Sequence, residues 1–498
     1  MRRLLLNAML IGTGSLFLGL AVLMFVFPLP NLKPYSRTIT DRNGQLLHAF
    51  LASDDRWRLE TKPDEIPQKL KTILLYKEDR YFYYHPGVNP LSAVRAFFQN
   101  LESGERRSGA STITMQVARI LEPKERTYWA KLVESFRALQ LELKYTKDEI
   151  LEMYLSMVPL GGNIEGLNSA ALLYYQTPLE RIDIAHLIDL ILIPNDPNRL
   201  RPDRGEKRLY EERIRNAARW ITVGLLTEED SLIVWETPAG AERVQPPQRA
   251  PHFSLRVTQA GLHDGPAIRT TLDANIQRTA ERLLASHMRV WRQKGVANGA
   301  VLVVDNKTRE MLAYVGSPDF EDSTIHGQVD GVRAIRSPGS ALKPFLIALR
   351  IDGGMLTPKR VLLDTPYDAE GFYAENYDGT FSGTAYVDQA LRRSLNVPMI
   401  RTLQETGVPD FANHLVKAGF TSLESQKAGL GLSMVVGGCG VTLEELTAAY
   451  LIFPNGGSYA PLRAVVDHGE GALREVYSPA TSYMITEILA GLDRPDLP

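Results

Sequence analysis

From Leu4 to Phe27 the chain runs for 24 residues without a charged side chain, LLLNAMLIGTGSLFLGLAVLMFVF, and no other feature limits its fate so tightly. About 20 consecutive apolar residues cross the hydrocarbon core of a bilayer as a helix. Arg2 and Arg3 precede the run, so the positive-inside bias places the N-terminus in the cytoplasm and the chain beyond the run on the far side. A cleaved signal peptide is the competing reading. The length of the run and the absence of an A-x-A-like site near its end weigh against it. The expectation is an uncleaved signal-anchor over residues 1–35, with the rest of the chain outside the cytoplasm.

The chain has ordinary globular composition: of 498 residues, 44% are hydrophobic and 23% charged, enough for two or three domains. A formal net charge of −2 leaves no footprint of a nucleic-acid binder. A single cysteine, Cys439, excludes an internal disulfide framework and a thiol metal site. The nine histidines are scattered and form no HExxH pattern.

After the prolines at 28, 30 and 34, ITDRNGQLLHAF reads as a hairpin turning at Asn43-Gly44. Residues of roughly 60 to 235 carry apolar side chains at three- and four-residue spacing, as in ITMQVARIL and KLVESFRALQLELKY, and read as helices. Asp148 marks a helix start in DEILEMYLSMV. A Pro/Gly/Ala-rich stretch, Thr237–Pro251, reads as a linker. Beyond it strands and helices mix: IRTTLD is strand-like, NIQRTAERLLASHM is an amphipathic helix, and GAVLVVD with EMLAYVG makes a hairpin at Asn306-Lys307. The expected domains are 36–235, 236–266 as linker, and 267–498. The fold class is therefore multidomain α and α/β.

Two acids, Glu78 and Asp79, stand before Tyr81, Phe82, Tyr83 and Tyr84. A lone Glu-Asp pair is most often a solvated helix end. An aromatic wall changes that expectation, because apolar surroundings raise a carboxylate's affinity for protons. The Gly/Ser/Thr loop RRSGASTITMQVAR then opens a helix and offers backbone N–H and hydroxyl donors, with Arg119 one turn on, to an oxyanion. Lys131, Glu134 and Arg137, spaced by three, share a helix face; a salt-bridge ladder is the plain alternative.

Three ordered motifs in these segments resemble the glycosyltransferase domain of class A penicillin-binding proteins, the family 51 peptidoglycan glycosyltransferases, over about residues 54–215. The first comprises Glu78, Asp79, Phe82, His85, Gly87, Arg95 and Ala96. The second comprises Gly109, Ala110, Ser111, Thr112, Gln116 and Arg119. The third comprises Lys131, Glu134, Lys147, Glu149, Ile150, Leu151, Glu152, Tyr154 and Leu155. The resemblance implies a helical, lysozyme-like fold acting on lipid II at the bacterial inner membrane, with the catalytic domains in the periplasm. It implies Glu78 as the base that deprotonates the acceptor sugar hydroxyl. Glu134 would organise the pyrophosphate leaving group, with Ser111, Thr112, Gln116, Arg119 and Lys131 binding substrate. It admits a divalent cation, magnesium or manganese, with Glu134 as its candidate ligand, and no organic cofactor. Two positions depart from the family: Ala130 replaces the first Arg of a basic pair, and Ser156 replaces an Asn.

In the second half, RSPGSALKPF holds Ser340 and Lys343 as S-x-x-K, so that a neutral lysine could take the serine's proton. Such pairs are frequent by chance, but RRSLNVP adds Ser394 and Asn396 as S-x-N. Together they resemble the penicillin-binding transpeptidase domain from about Arg269 onward, in which the serine attacks a D-Ala-D-Ala stem peptide and β-lactams. Wording such as HPGVNPL, STITMQVARIL and GGCGVTLEELTAAY is nearest to the 1C branch of that family, whose members usually continue into a further C-terminal domain. The family's third element, K-T-G, is absent from the 498 residues; Lys417-Ala418-Gly419 and Lys427-Ala428-Gly429 are nearest in form but stand too early. The expectation is an incomplete transpeptidase half of doubtful activity, in a fragment or a truncated product. A catalytically impaired scaffold or receptor, and a lytic enzyme cutting glycans with paired acids, remain as rival readings.

Overall fold

The computed structural model describes residues 23–89, 111–125, 127–261, 265–369, 372–466, 469 and 471–491. The chain forms two compact units, residues 1–38 with 49–247, and residues 39–48 with 248–498. Among the described residues no helix is long and apolar enough to cross a membrane. Residues 4–22 of the expected anchor lie outside the described residues. Its tail, 23–26, is helical, and Phe25 is 90% exposed.

The first unit is helical. Helices Gln68–Glu78, Ile113–Leu121, Tyr128–Lys144, Lys147–Met157, Leu167–Tyr175, Ile184–Leu192, Glu206–Thr222 and Glu228–Glu236 surround one core. Leu70, Ile73, Phe82, Val117, Leu141, Leu151, Leu155 and Ile188 are buried in it. Helix starts follow capping chemistry: Thr112, Thr127, Thr146 and Thr227 each accept a backbone N–H of the first turn. At Thr146 the reciprocal Glu149 contact completes a capping box, so the cap sits two residues before the Asp148 that signals the start in sequence. A short parallel pair, Trp57–Arg58 with Ile164–Glu165, closes one side. There Arg58 is fully buried and donates to Glu165 at 2.6 and 2.8 Å and to Asp54 at 2.8 Å.

The second unit mixes short strands with helices. Strands Thr38–Thr40 and Leu46–Ala49 turn at Gly44, φ +87°, where Asp41 accepts the N–H groups of Asn43 and Gln45, both at 2.8 Å. This is the hairpin expected from Asn43-Gly44. It pairs with Ala267–Arg269, so residues 39–48 belong to the second unit rather than to the helical region next to them in sequence. The expected hairpin at 306–307 is present as Val301–Val304 antiparallel to Met311–Val315, with Asp305 capping the turn. The amphipathic helix extends over Ala274–Arg292 from an Asp273 cap. The core is built on helix Lys343–Asp352, buried from Lys343 through Ala348, and on the rings of Phe345, Phe420, Phe453 and Tyr477. The Pro-rich stretch after Thr237 is tied down rather than loose: Val244 N–H donates to the Leu173 carbonyl, and Arg249 N–H to the Leu47 carbonyl.

Candidate active sites

In the first unit Glu78 ends helix Gln68–Glu78 and is mostly buried, its side chain 14% exposed. Gln116 Nε2 donates to its Oε2 at 3.0 Å, and the Lys77 ammonium pairs with Oε1. Gln116 projects from helix Ile113–Leu121, which also carries Arg119 one turn on. The Tyr154 hydroxyl nearby is fully buried and without a hydrogen-bond partner among the described residues. Burial holds this phenol well above its usual range; the Glu78 charge adds to the shift, and the Arg119 charge opposes it.

The aromatic run does not wall the acid. Phe82 alone turns inward, while Tyr81, Tyr83 and Tyr84 are exposed. The side chains hydrogen-bonded to Glu78 are polar, so the expected apolar wall is corrected to a clamp of amide and ammonium. Asp79, the second acid, is structural: His85 Nε2 meets both its oxygens at 3.0 and 2.9 Å, and Ile113 N–H donates to Oδ2 at 3.1 Å. Thr112 is likewise inside the wall, its hydroxyl donating to the Gly87 carbonyl at 2.5 Å and accepting Met115 N–H at 3.1 Å. At Gly87, φ +87°, a Cβ would lie 2.9 Å from the Ala138 carbonyl, so the close approach requires glycine.

A second cluster forms on helix Tyr128–Lys144. Lys131 donates to the Ser111 hydroxyl and, at 3.1 Å, to Glu134 Oε2, with Glu134 only 11% exposed. Arg137, expected on the same face, turns away. It binds Glu122 and the Phe27 and Pro28 carbonyls at the end of the N-terminal helical segment. Arg119 brings its charge to bear on the buried Tyr154 phenol. Arg95, Ala96, Gly109 and Ala110 of the motifs lie outside the described residues.

In the second unit Lys343 is 1% exposed. Its ammonium donates to Asn396 Oδ1 at 2.7 Å, to the Ser394 carbonyl at 2.7 Å and to Ser394 Oγ at 3.2 Å. Three of the four residues singled out by the motifs thus meet, on a strained Ser394 backbone at φ +54°. Ser340 stands exposed in the turn Gly339–Leu342 that leads into the lysine's helix. Two further residues escape motif reading. Asn376 Oδ1 accepts Asn396 N–H at 2.9 Å, and Asn376 Nδ2 donates to the fully buried Asp364 at 2.7 Å. The Gly-rich loop before Val441 and the helix after it brace the serine turn: Ser337 Oγ donates to the Gly437 carbonyl at 2.7 Å, and Tyr450 OH, at the end of helix Leu443–Tyr450, donates to the Ala341 carbonyl at 2.9 Å.

Residues 43–222 match the family model of the transglycosylase domain. Residues 299–492 match that of the penicillin binding protein transpeptidase domain. Both matches lie on one chain, the transglycosylase domain first and the transpeptidase domain after it. The chain belongs to the class A penicillin-binding proteins. It is 35% identical to penicillin-binding protein 1C of Escherichia coli over 475 residues, covering 95% of this chain and 60% of that protein. It is 27% identical to penicillin-binding protein 4 of Bacillus subtilis, covering 85% and 73% of the two chains. The solved structure of penicillin-binding protein 1A from Haemophilus influenzae aligns loosely, with a TM-score of 0.46 at 16% identity over 87% of this chain and 70% of that one.

The departures from other class A penicillin-binding proteins have physical settings. Ala130 is buried in the first turn of its helix, where its N–H meets the Thr127 cap. Ser156 is fully buried and accepts Thr61 N–H at 2.8 Å, so it knits the domain rather than lining the site. The two K-A-G sequences are not strands: Lys417 ends a helix, and Lys427–Gly429 lies in a 3-10 helix.

Proposed function

We propose that the first domain polymerises lipid II, with Glu78 as general base. Glu78 takes the proton of the acceptor sugar's 4-hydroxyl. That oxygen bonds to the anomeric carbon of the growing strand with inversion, and the carbon–oxygen bond to the pyrophosphate breaks with its electron pair. Arg119 and Lys131 supply positive charge for the leaving group, and Glu134 orients Lys131. The observation that carries the reading is Glu78 clamped by Gln116 on the helix that also presents Arg119. Paired acids that cut glycans need no such cations. A divalent cation would rely on Glu134 and the substrate's own oxygens, since no group of three His, Cys, Asp or Glu among the described residues stands ready for one, and the Lys131 charge already sits on Glu134.

The second domain is read as the penicillin-binding half, acting on stem peptides and β-lactams through Ser340. The run Leu4–Phe27 is read as the anchor in the bacterial inner membrane, with both domains in the periplasm, which suits a polyprenyl-linked substrate. Membranes carrying the full chain and given labelled lipid II test the first reading. Chain growth that disappears in Glu78→Gln supports it, release of short fragments supports a lytic enzyme, and no turnover supports a scaffold.

A further inference from the structure

We propose that Lys77 is a positioning residue that fixes the catalytic carboxylate of Glu78; this deepens the reading of Glu78 as the base and rests on it. Neighbouring residues on a helix normally point apart. Here the helix stops at Glu78, the next residue, Asp79, leaves at φ −162°, ψ 78°, and the two side chains meet. An ammonium has three donors and no acceptor. The Lys77 ammonium places one on Glu78 Oε1, one on the Ile191 carbonyl at 3.0 Å and one on Asn195 Oδ1 at 3.1 Å.

Those anchors belong to another element. Ile191 lies in the last turn of helix Ile184–Leu192, whose end carbonyls lack intrahelical donors, and Asn195 closes the 3-10 turn beyond it. A cation suits that helix end. Lys77 is 14% exposed, as is Glu78, so the pair is not a loose surface bridge. Gln116 grips the other carboxylate oxygen. The carboxylate is held at both oxygens, and its remaining lone pairs are left to accept the proton of the acceptor hydroxyl. Lys77 reaches the reaction only through Glu78.

The test uses the full chain in membranes, with labelled lipid II over a concentration range, and thermal unfolding of the same preparations. In Lys77→Met, kcat is expected to fall roughly tenfold to a hundredfold, with KM within about twofold of the parent. Lys77→Arg should recover most of the rate, and all melting temperatures should stay together. An unchanged kcat in Lys77→Met overturns the proposal. So does a KM rise in place of the kcat loss, which would mean that Lys77 meets the substrate. A fall in melting temperature that tracks the lost rate, without rescue by arginine, overturns it in favour of a purely structural role. If the parent chain itself is silent, the reading of Glu78 as the base fails, and the Lys77 proposal falls with it.

Discussion

Glu78 and Thr112 sit in neighbouring motifs, yet their surroundings give them opposite jobs. Glu78 accepts from Gln116 and Lys77 at the wall of the site. Glu78→Gln keeps the shape and removes the proposed base, so under the proposed function polymerisation is expected to fall roughly a hundredfold or more with the fold intact, read as glycan product per unit time. Thr112 caps a helix and braces the Gly87 carbonyl from inside the wall. Thr112→Ala should therefore cost stability, about 1 kcal/mol in thermal unfolding, and leave the rate at low temperature nearly unchanged. Sequence alone marks both residues as site members, because a motif records that a residue type recurs and not which way it faces. The same limit hides the role of Asp79: its partners His85 and Ile113 N–H meet it only once the loop folds back onto the helix.

At the scale of elements, two close contacts decide what each half tolerates. Helix Glu206–Thr222 is joined to helix Ile184–Leu192 by Arg213 and Asp189, both side chains fully buried, with Arg213 also donating to the Thr237 carbonyl at 2.6 Å. Arg213→Met strands the carboxylate in the core, and a loss of about 3–5 kcal/mol is expected in denaturant unfolding. In the other half, Gly437 at φ +104° lies against the serine turn, where a Cβ would fall 2.5 Å from Ser337 Oγ and 2.7 Å from Gly339 Cα. Gly437→Ala should push that turn aside, lowering the melting temperature and reducing any labelling of Ser340 by fluorescent penicillin below the parent's. Helix positions were legible from periodicity and both hairpins from their turn residues, because these signals are local. The partners of Arg137 were not, since its choice between Glu134 and the Phe27 carbonyl depends on a segment 110 residues away in the chain.

For the molecule as a whole, pH bears on the second unit through His414. Burial, aided by Lys417 and opposed by Asp352, lowers its pKa to about 4. The folded ring stays neutral while the unfolded one takes a proton below its ordinary value near 6.5. Stability is therefore full above about pH 6.5 and drains away as pH falls toward 4, by up to about 3 kcal/mol. Melting temperatures across that window should decline, and His414→Gln should flatten the decline. An unchanged slope would assign the acid sensitivity to other groups. The sequence by itself determined the two-domain order, the apolar run at the start, the three glycosyltransferase motifs and the S-x-x-K and S-x-N pairs, all of which are matters of residue type and spacing. Only the tertiary structure decided that Asp79 and Thr112 serve the fold, that the tyrosines beside Glu78 face outward, and that Asn376 and Asp364 stand behind Lys343. It also decided that Lys77 is held by the end of a distant helix. The reason is physical: burial and hydrogen-bond partnership are set by which surfaces meet, and residues far apart in the chain meet only when the core closes.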